Sequence, residues 1–240
     1  MTEIQTKKKS DLGVRTASAV VMIALGGVAL WLGGVAFNLL LGAIALGLAY
    51  ECWNLATKLT PLQSRRMAFL LVMLLYIGLA IWGLSQARNG DYGFAMLAIV
   101  CCTVIATDVG AYFTGRSIGG PKIAPQISPN KTWAGLVGGM IAAGLASLGG
   151  WYWLMSSTGN IDLIEGQYVR LILQGLFIAI AAQAGDFFES WIKRKAGVKD
   201  SSNLIPGHGG LFDRLDGYLP IFAISGIANL APLILSATSE

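Results

Sequence analysis

The sequence predicts an all-α, polytopic integral membrane protein, and three observations carry that reading. Charged residues make up 12% of the 240 and apolar residues 55%, against about 25% charged in an ordinary soluble domain. The apolar residues fall in long unbroken runs, each close to the ~20 residues that a bilayer-crossing helix needs. The basic residues gather in alternate connections, as the positive-inside rule requires of a multi-pass chain. Seventeen basic and thirteen acidic side chains cannot clothe a soluble protein of this size. A disulfide scaffold is excluded as well: of three cysteines, Cys101 and Cys102 are neighbours in apolar sequence.

Seven spans are expected, with the count lying between six and eight. They run from Ala17 to Leu32, Val35 to Tyr50, Met67 to Ser85, Phe94 to Phe113, Trp133 to Met155, Tyr168 to Phe188 and Tyr218 to Leu235. The first two are short and parted only by Gly33-Gly34, so they also read as one re-entrant unit. Continuous apolarity argues against a barrel, whose strands alternate. The leader Lys7-Lys8-Lys9 resembles a secretory signal, but a second apolar run follows at once with no cleavage site between.

Placing the N-terminus in the cytoplasm puts fifteen of the seventeen basic residues on that side, leaving Arg88 and Arg170 outside. The net charge of +4 is thereby explained by topology and an anionic leaflet, and no nucleic-acid partner is expected. Residues 1–92 read as a scaffold of three spans. Residues 93–240 read as the catalytic region, with polar cytoplasmic loops at 114–132 and 189–217. Glu51 and Asn54 end the second span, either as an ordinary interfacial terminus or as the lining of a polar cavity.

Intramembrane acids are costly and commonly functional. Asp108, Asp186 and Glu189 lie within or at the ends of spans. Asp186 and Glu189 are three apart, as are Asp213 and Asp216, so each pair shares a face if the local chain is helical. Acids so close repel unless a cation or proton lies between them. With oxygen ligands prevailing and one histidine in the chain, Mg²⁺ suits the candidate ligands Asp213, Asp216, Asp186 and Asp108 better than zinc. The alternative pairs them with Arg116, Lys193, Arg194 or Arg214, and Glu189 lies nearest the basic run.

The segment around Arg116, Lys122 and Lys131 carries too many glycines and prolines for a regular helix. It reads as a bent phosphate-binding loop, with Ser128, Asn130 and Thr132 as neutral donors and Thr132 capping the fifth span. His208, inside Pro206-Gly-His-Gly-Gly210, serves as a phosphate donor, a general base or a turn-stabilising group. These features together describe a metal-using membrane enzyme acting on phosphates at the cytoplasmic interface. An ion-coupled transporter is the runner-up, although the acids cluster at one side and no internal repeat is visible.

The string SWIKRKAGVKDSSNLIPGHGGLFDRLD, Ser190 to Asp216, resembles the signature of the phosphatidate cytidylyltransferases, or CDP-diacylglycerol synthases. GRSIGGPKIAPQISPNKTWAG, Gly115 to Gly135, is similar to that family's second characteristic stretch. With Asp108 and Gly185-Asp186, the likeness covers about 110 residues, Thr107 to Gly217. The chain departs from the family at Ala134, where a Glu is common, and at Gly217, where a Ser is common. It is also shorter than many members, which implies fewer N-terminal spans.

The resemblance implies that CTP and phosphatidic acid become CDP-diacylglycerol and pyrophosphate at the bacterial inner membrane. It implies Mg²⁺, sometimes with a monovalent cation such as K⁺, and members that form homodimers among the membrane lipids. Asp213, Asp216, Asp186, Lys131 and His208 would then serve catalysis. Arg116, Lys122, Ser128, Asn130, Lys131, Thr132, Lys193, Arg194, Lys199 and Arg214 would hold the triphosphate or the lipid phosphate. A CTP-dependent lipid kinase is the related alternative, distinguished by its products.

Overall fold

The computed structural model describes the backbone of residues 2–160 and 166–237, with side chains for 12–160 and 166–232. The side chains of Lys7, Lys8 and Lys9 therefore lie outside the described residues. Eight helices and one hairpin follow in order: α1 Thr2–Leu32, α2 Gly34–Leu59, α3 Gln63–Asn89, α4 Gly93–Ser117, β1 Lys122–Ala124, β2 Ser128–Thr132, α5 Trp133–Ser157, α6 Tyr168–Lys195, α7 Phe212–Leu215 and α8 Tyr218–Ala237. Six of these, α1 to α6, are long and apolar enough to cross a membrane, and the Tyr218–Pro232 part of α8 is a shorter apolar helix. The molecule is an all-α multi-pass membrane protein with one small hairpin.

Local chemistry explains the breaks. Gly33 takes a φ of 64°, a region that side chains disfavour, so α1 and α2 are two helices rather than one unit. Its turn is tied by Arg88 of α3, which donates to Leu30 O at 2.8 Å and Trp31 O at 3.3 Å. Thr132 caps α5 as its sequence position suggests, accepting from the Gly135 N–H at 3.0 Å. Lys122 pairs with Thr132 and Ala124 with Ser128 across the antiparallel hairpin. The Gly- and Pro-rich segment is thus a short β-turn structure, which satisfies backbone groups that no helix could. The helices also outrun the apolar spans, because polar residues at their ends continue the hydrogen-bonded turns. Lys193, Arg194 and Lys195 accordingly lie on the last turn of α6.

Helix α4 packs along α5, α5 along α6, and α3 along α8. The α4–α5 seam depends on glycine: a Cβ on Gly139 would stand 2.9 Å from the Thr107 carbonyl oxygen and 3.3 Å from the Ala111 Cβ. Small residues of this kind let membrane helices meet backbone to backbone. Gly139→Val is expected to destabilise the protein by about 1–3 kcal/mol through overpacking, read as a lower midpoint of thermal unfolding in detergent. An unchanged midpoint would show that the seam tolerates separation.

Successive antiparallel spans bring the C-terminal ends of α2, α4 and α6 to the same end of the bundle as the N-terminal ends of α3, α5 and α8. That end carries the hairpin, α7 and the 196–211 loop. Polar residues scattered from position 51 to 217 therefore converge there.

Candidate active site

Helix α6 supplies Asp186 and Glu189 from one face, and the turn between α7 and α8 supplies Asp216. Ligand oxygens of these three carboxylates lie within 4.8 Å of one another. Glu189 is 1% exposed, and its Oε1 is buried with no hydrogen-bond partner. An orphaned carboxylate oxygen is costly in a protein interior. Beside two further acids it suits a divalent cation with oxygen ligands, so the residues present fit such an ion. Asp216 accepts the Gly217 N–H at 2.8 Å. Burial, and next the negative charge of Asp186, push its carboxyl up to about 7.

Lys131, the penultimate residue of β2, reaches across to Asp186, with Nζ 2.5 Å from Oδ2. The same nitrogen lies 4.7 Å from the centre of the Phe187 ring and makes no conventional hydrogen bond. Its ammonium protons thus retain capacity for a further acceptor. Asp108 of α4 lies within electrostatic range of both Lys131 and Asp186.

Asp213 adjoins the three-acid group through Glu189 and Lys193. Its Oδ1 accepts from Lys193 Nζ at 2.6 Å. Its Oδ2 accepts from the Ser201 N–H at 2.9 Å, Ser201 Oγ at 3.0 Å and the Gly210 N–H at 2.8 Å. Burial would raise its pKa. The contact with Glu189, the Lys193 ammonium and the two backbone N–H groups outweigh burial and hold it at about 2. Asp213 and Asp216 are three apart, but α7 is a single turn, and their carboxylates serve different neighbours. Lys193 also meets Glu189 Oε2 at 2.7 Å, so its charge is shared between two buried acids.

The remaining candidates spread around this centre. His208 Nδ1 lies 2.8 Å from Ser18 Oγ on α1, and Arg214 holds the His208 carbonyl through two contacts of 3.2 and 2.7 Å. Both residues brace the Pro206–Gly210 turn. Arg194 Nε donates to Ile127 O at 3.4 Å, fastening α6 to the hairpin. Lys122 Nζ donates to Asn130 O at 3.4 Å, and Arg116 Nη1 donates to Tyr112 Oη at 3.1 Å. Arg116, Lys122, Asn130, Arg194 and Lys199 are exposed, Ser128 is half-buried and Thr132 is buried in its capping role.

Two acids outside the expected set are prominent. Glu189 completes the group of three, and its i, i+3 spacing from Asp186 was the available signal. Glu51 is wholly buried on α2 and accepts from four donors of the 201–212 segment. The signal there was a carboxylate at the end of an apolar span, beside Asn54. A cleft of about 450 Å³ lined by Tyr50, Asn54, Thr57, Lys58 and residues 201–204 shares Ser201 and Ser202 with this network.

The chain resembles known proteins over nearly its whole length. The family model described as "Cytidylyltransferase family" matches residues 58–229, a range containing every candidate residue of the site except Glu51. A phosphatidate cytidylyltransferase of Brucella abortus is 34% identical over 276 residues, covering 95% of this chain and 98% of the relative. The phosphatidate cytidylyltransferase of Rickettsia bellii is 34% identical over 230 residues, covering 92% and 94%. That of Bacillus subtilis is 39% identical over 152 residues, covering 63% and 54%.

Proposed function

Because the chain belongs to the phosphatidate cytidylyltransferase family, we propose that it transfers the cytidylyl group of CTP to phosphatidate, yielding CDP-diacylglycerol and pyrophosphate. The observation that carries the site assignment is the group Asp186, Glu189 and Asp216 with Lys131 set against it. An oxygen of the lipid phosphate forms a bond to the α-phosphorus of CTP as the bond from that phosphorus to pyrophosphate breaks. The attacking phosphate is already anionic near neutral pH, so alignment and charge neutralisation suffice without a strong base.

Asp186, Glu189 and Asp216 would hold a divalent cation, Mg²⁺ by the oxygen donor set, which would supply charge neutralisation on the phosphates. Lys131 offers its spare donors to a phosphate oxygen, and Asp108 balances the charge of Lys131. Asp213, with Lys193, keeps Glu189 in place. Exposed Arg116, Lys122, Arg194 and Lys199, on the segments next to the group, add positive charge that favours a triphosphate. The site faces the cytoplasm, where CTP is found, on the support of the basic residues that gather at that end of the chain. The lipid arrives sideways from the bilayer.

The test is product analysis with radiolabelled CTP and phosphatidate in detergent or lipid. CDP-diacylglycerol and pyrophosphate are expected, with strict Mg²⁺ dependence. At low Mg²⁺ the rate should rise with pH through about 7, as Asp216 loses its proton. Higher Mg²⁺ should move that limb to lower pH, because cation and proton compete for one carboxylate. Folded protein that forms no CDP-diacylglycerol would sink the reading. A phosphorylated alcohol with CDP would mark a kinase, and solute flux without nucleotide turnover a transporter.

A further inference from the structure

We propose that Glu51 is a positioning residue that sets the geometry of the three-carboxylate group through Ser201, Asp213 and Lys193. The inference rests on the reading of that group as a divalent-cation site. Glu51 Oε1 accepts from Ser202 Oγ at 2.5 Å and from the Leu211 N–H at 2.7 Å. Its Oε2 accepts from the Phe212 N–H at 2.7 Å and from Ser201 Oγ at 3.1 Å. A buried carboxylate is tolerated only when donors fill it, and here the 201–211 loop and the first residue of α7 provide all four. Both limbs of that loop are thus pinned by a single side chain from α2.

The contacts continue inward without a gap. Ser201 Oγ sits between two carboxylates, 3.1 Å from Glu51 and 3.0 Å from Asp213, and shares its single proton between them. Asp213 fixes Lys193, and Lys193 fixes Glu189 through Oε2, a carboxylate that has an oxygen within 4.8 Å of oxygens of Asp186 and Asp216. Gly210 lies in this path, where a Cβ would come within 2.5 Å of Glu51 Oε1. Helix α2 does not need Glu51 for its own packing, since Leu48, Cys52, Leu55 and Ala56 already bury it in the core. The four bonds act on the loop.

Mn²⁺ binding to the purified full chain in detergent, followed by electron paramagnetic resonance, separates positioning from general stability. Partners of ligating groups typically alter metal affinity about 10- to 100-fold. Glu51→Gln preserves shape but turns an amide N–H₂ towards existing donors. It should weaken Mn²⁺ by roughly tenfold or more, with an apparent Mg²⁺ requirement for turnover raised in parallel. Ser201→Ala, which keeps three of the four donors, should give a smaller loss in the same direction. Unchanged Mn²⁺ affinity in a folded Glu51→Gln protein overturns the proposal. If that variant does not fold, unchanged affinity in a folded Ser201→Ala/Ser202→Ala protein overturns it instead. Wild-type protein that binds no Mn²⁺ removes both the proposal and the cation site. Wild-type protein that binds Mn²⁺ but forms no CDP-diacylglycerol removes only the assigned reaction.

Discussion

Asp216→Asn is expected to yield a folded membrane protein whose turnover is at least about a thousandfold lower, a loss of roughly 4 kcal/mol of transition-state stabilisation. The amide oxygen can still accept the Gly217 N–H that Asp216 accepts at 2.8 Å, so the turn before α8 survives. What disappears is one of three negative groups within 4.8 Å. The same change should stabilise the metal-free protein. Asp216 is held at about 7 by burial and by Asp186, so its ionised form is penalised in the folded state. Relative to Asp, Asn removes that penalty fully above pH about 7, and the gain fades as pH falls towards an ordinary carboxylate pKa of about 4. Thermal unfolding with a chelator present, measured across this range beside turnover with Mg²⁺, checks both signs. Near-normal turnover would remove Asp216 from the cation site.

Lys193→Met should harm stability and activity together. Lys193 Nζ lies 2.7 Å from Glu189 Oε2 and 2.6 Å from Asp213 Oδ1. Without its charge, two buried carboxylates face one another. Removing one partner of a buried ion pair costs about 3–5 kcal/mol, partly relieved if an acid takes up a proton. The variant should therefore unfold at lower temperature and recover some stability as pH is lowered. Adding Glu189→Gln should restore part of the lost stability while turnover stays low. A variant with wild-type melting and turnover would show that Lys193 is a surface cation and that Asp213 is fixed by its backbone donors alone.

The membrane class and the helical spans were legible because hydrophobic length and the placement of basic residues are local properties of a chain. Thr132 was legible as a cap for the same reason. Asp108, Asp186 and Glu189 stand out in the sequence by the cost of keeping acids within or at the ends of apolar spans, whereas Asp216 stands out by its spacing from Asp213. The pairing of Asp213 with Asp216 by spacing assumed a helix long enough to align them, and α7 provides one turn. Lys193 reads as a phosphate ligand in a basic string, and its position between two acids depends on a loop that returns from residue 213. Glu51 was the least legible, since its partners lie about 150 positions away and nothing near residue 51 announces them. Sequence shows which groups are costly; the fold shows which of them meet.

That separation along the chain orders the protein's biogenesis. Glu51 enters the membrane with the second helix, while Ser201 and Leu211, 150 and 160 residues later, have yet to leave the ribosome. Until they arrive, its carboxylate lacks the four donors that fill it in the finished protein. Asp216 comes still later, just ahead of α8. A nascent chain halted after six spans would thus hold most of its hydrophobic bulk in the membrane and have no finished centre. The three-carboxylate group is complete only once the chain has been made through Asp216, long after Glu51 has entered the membrane.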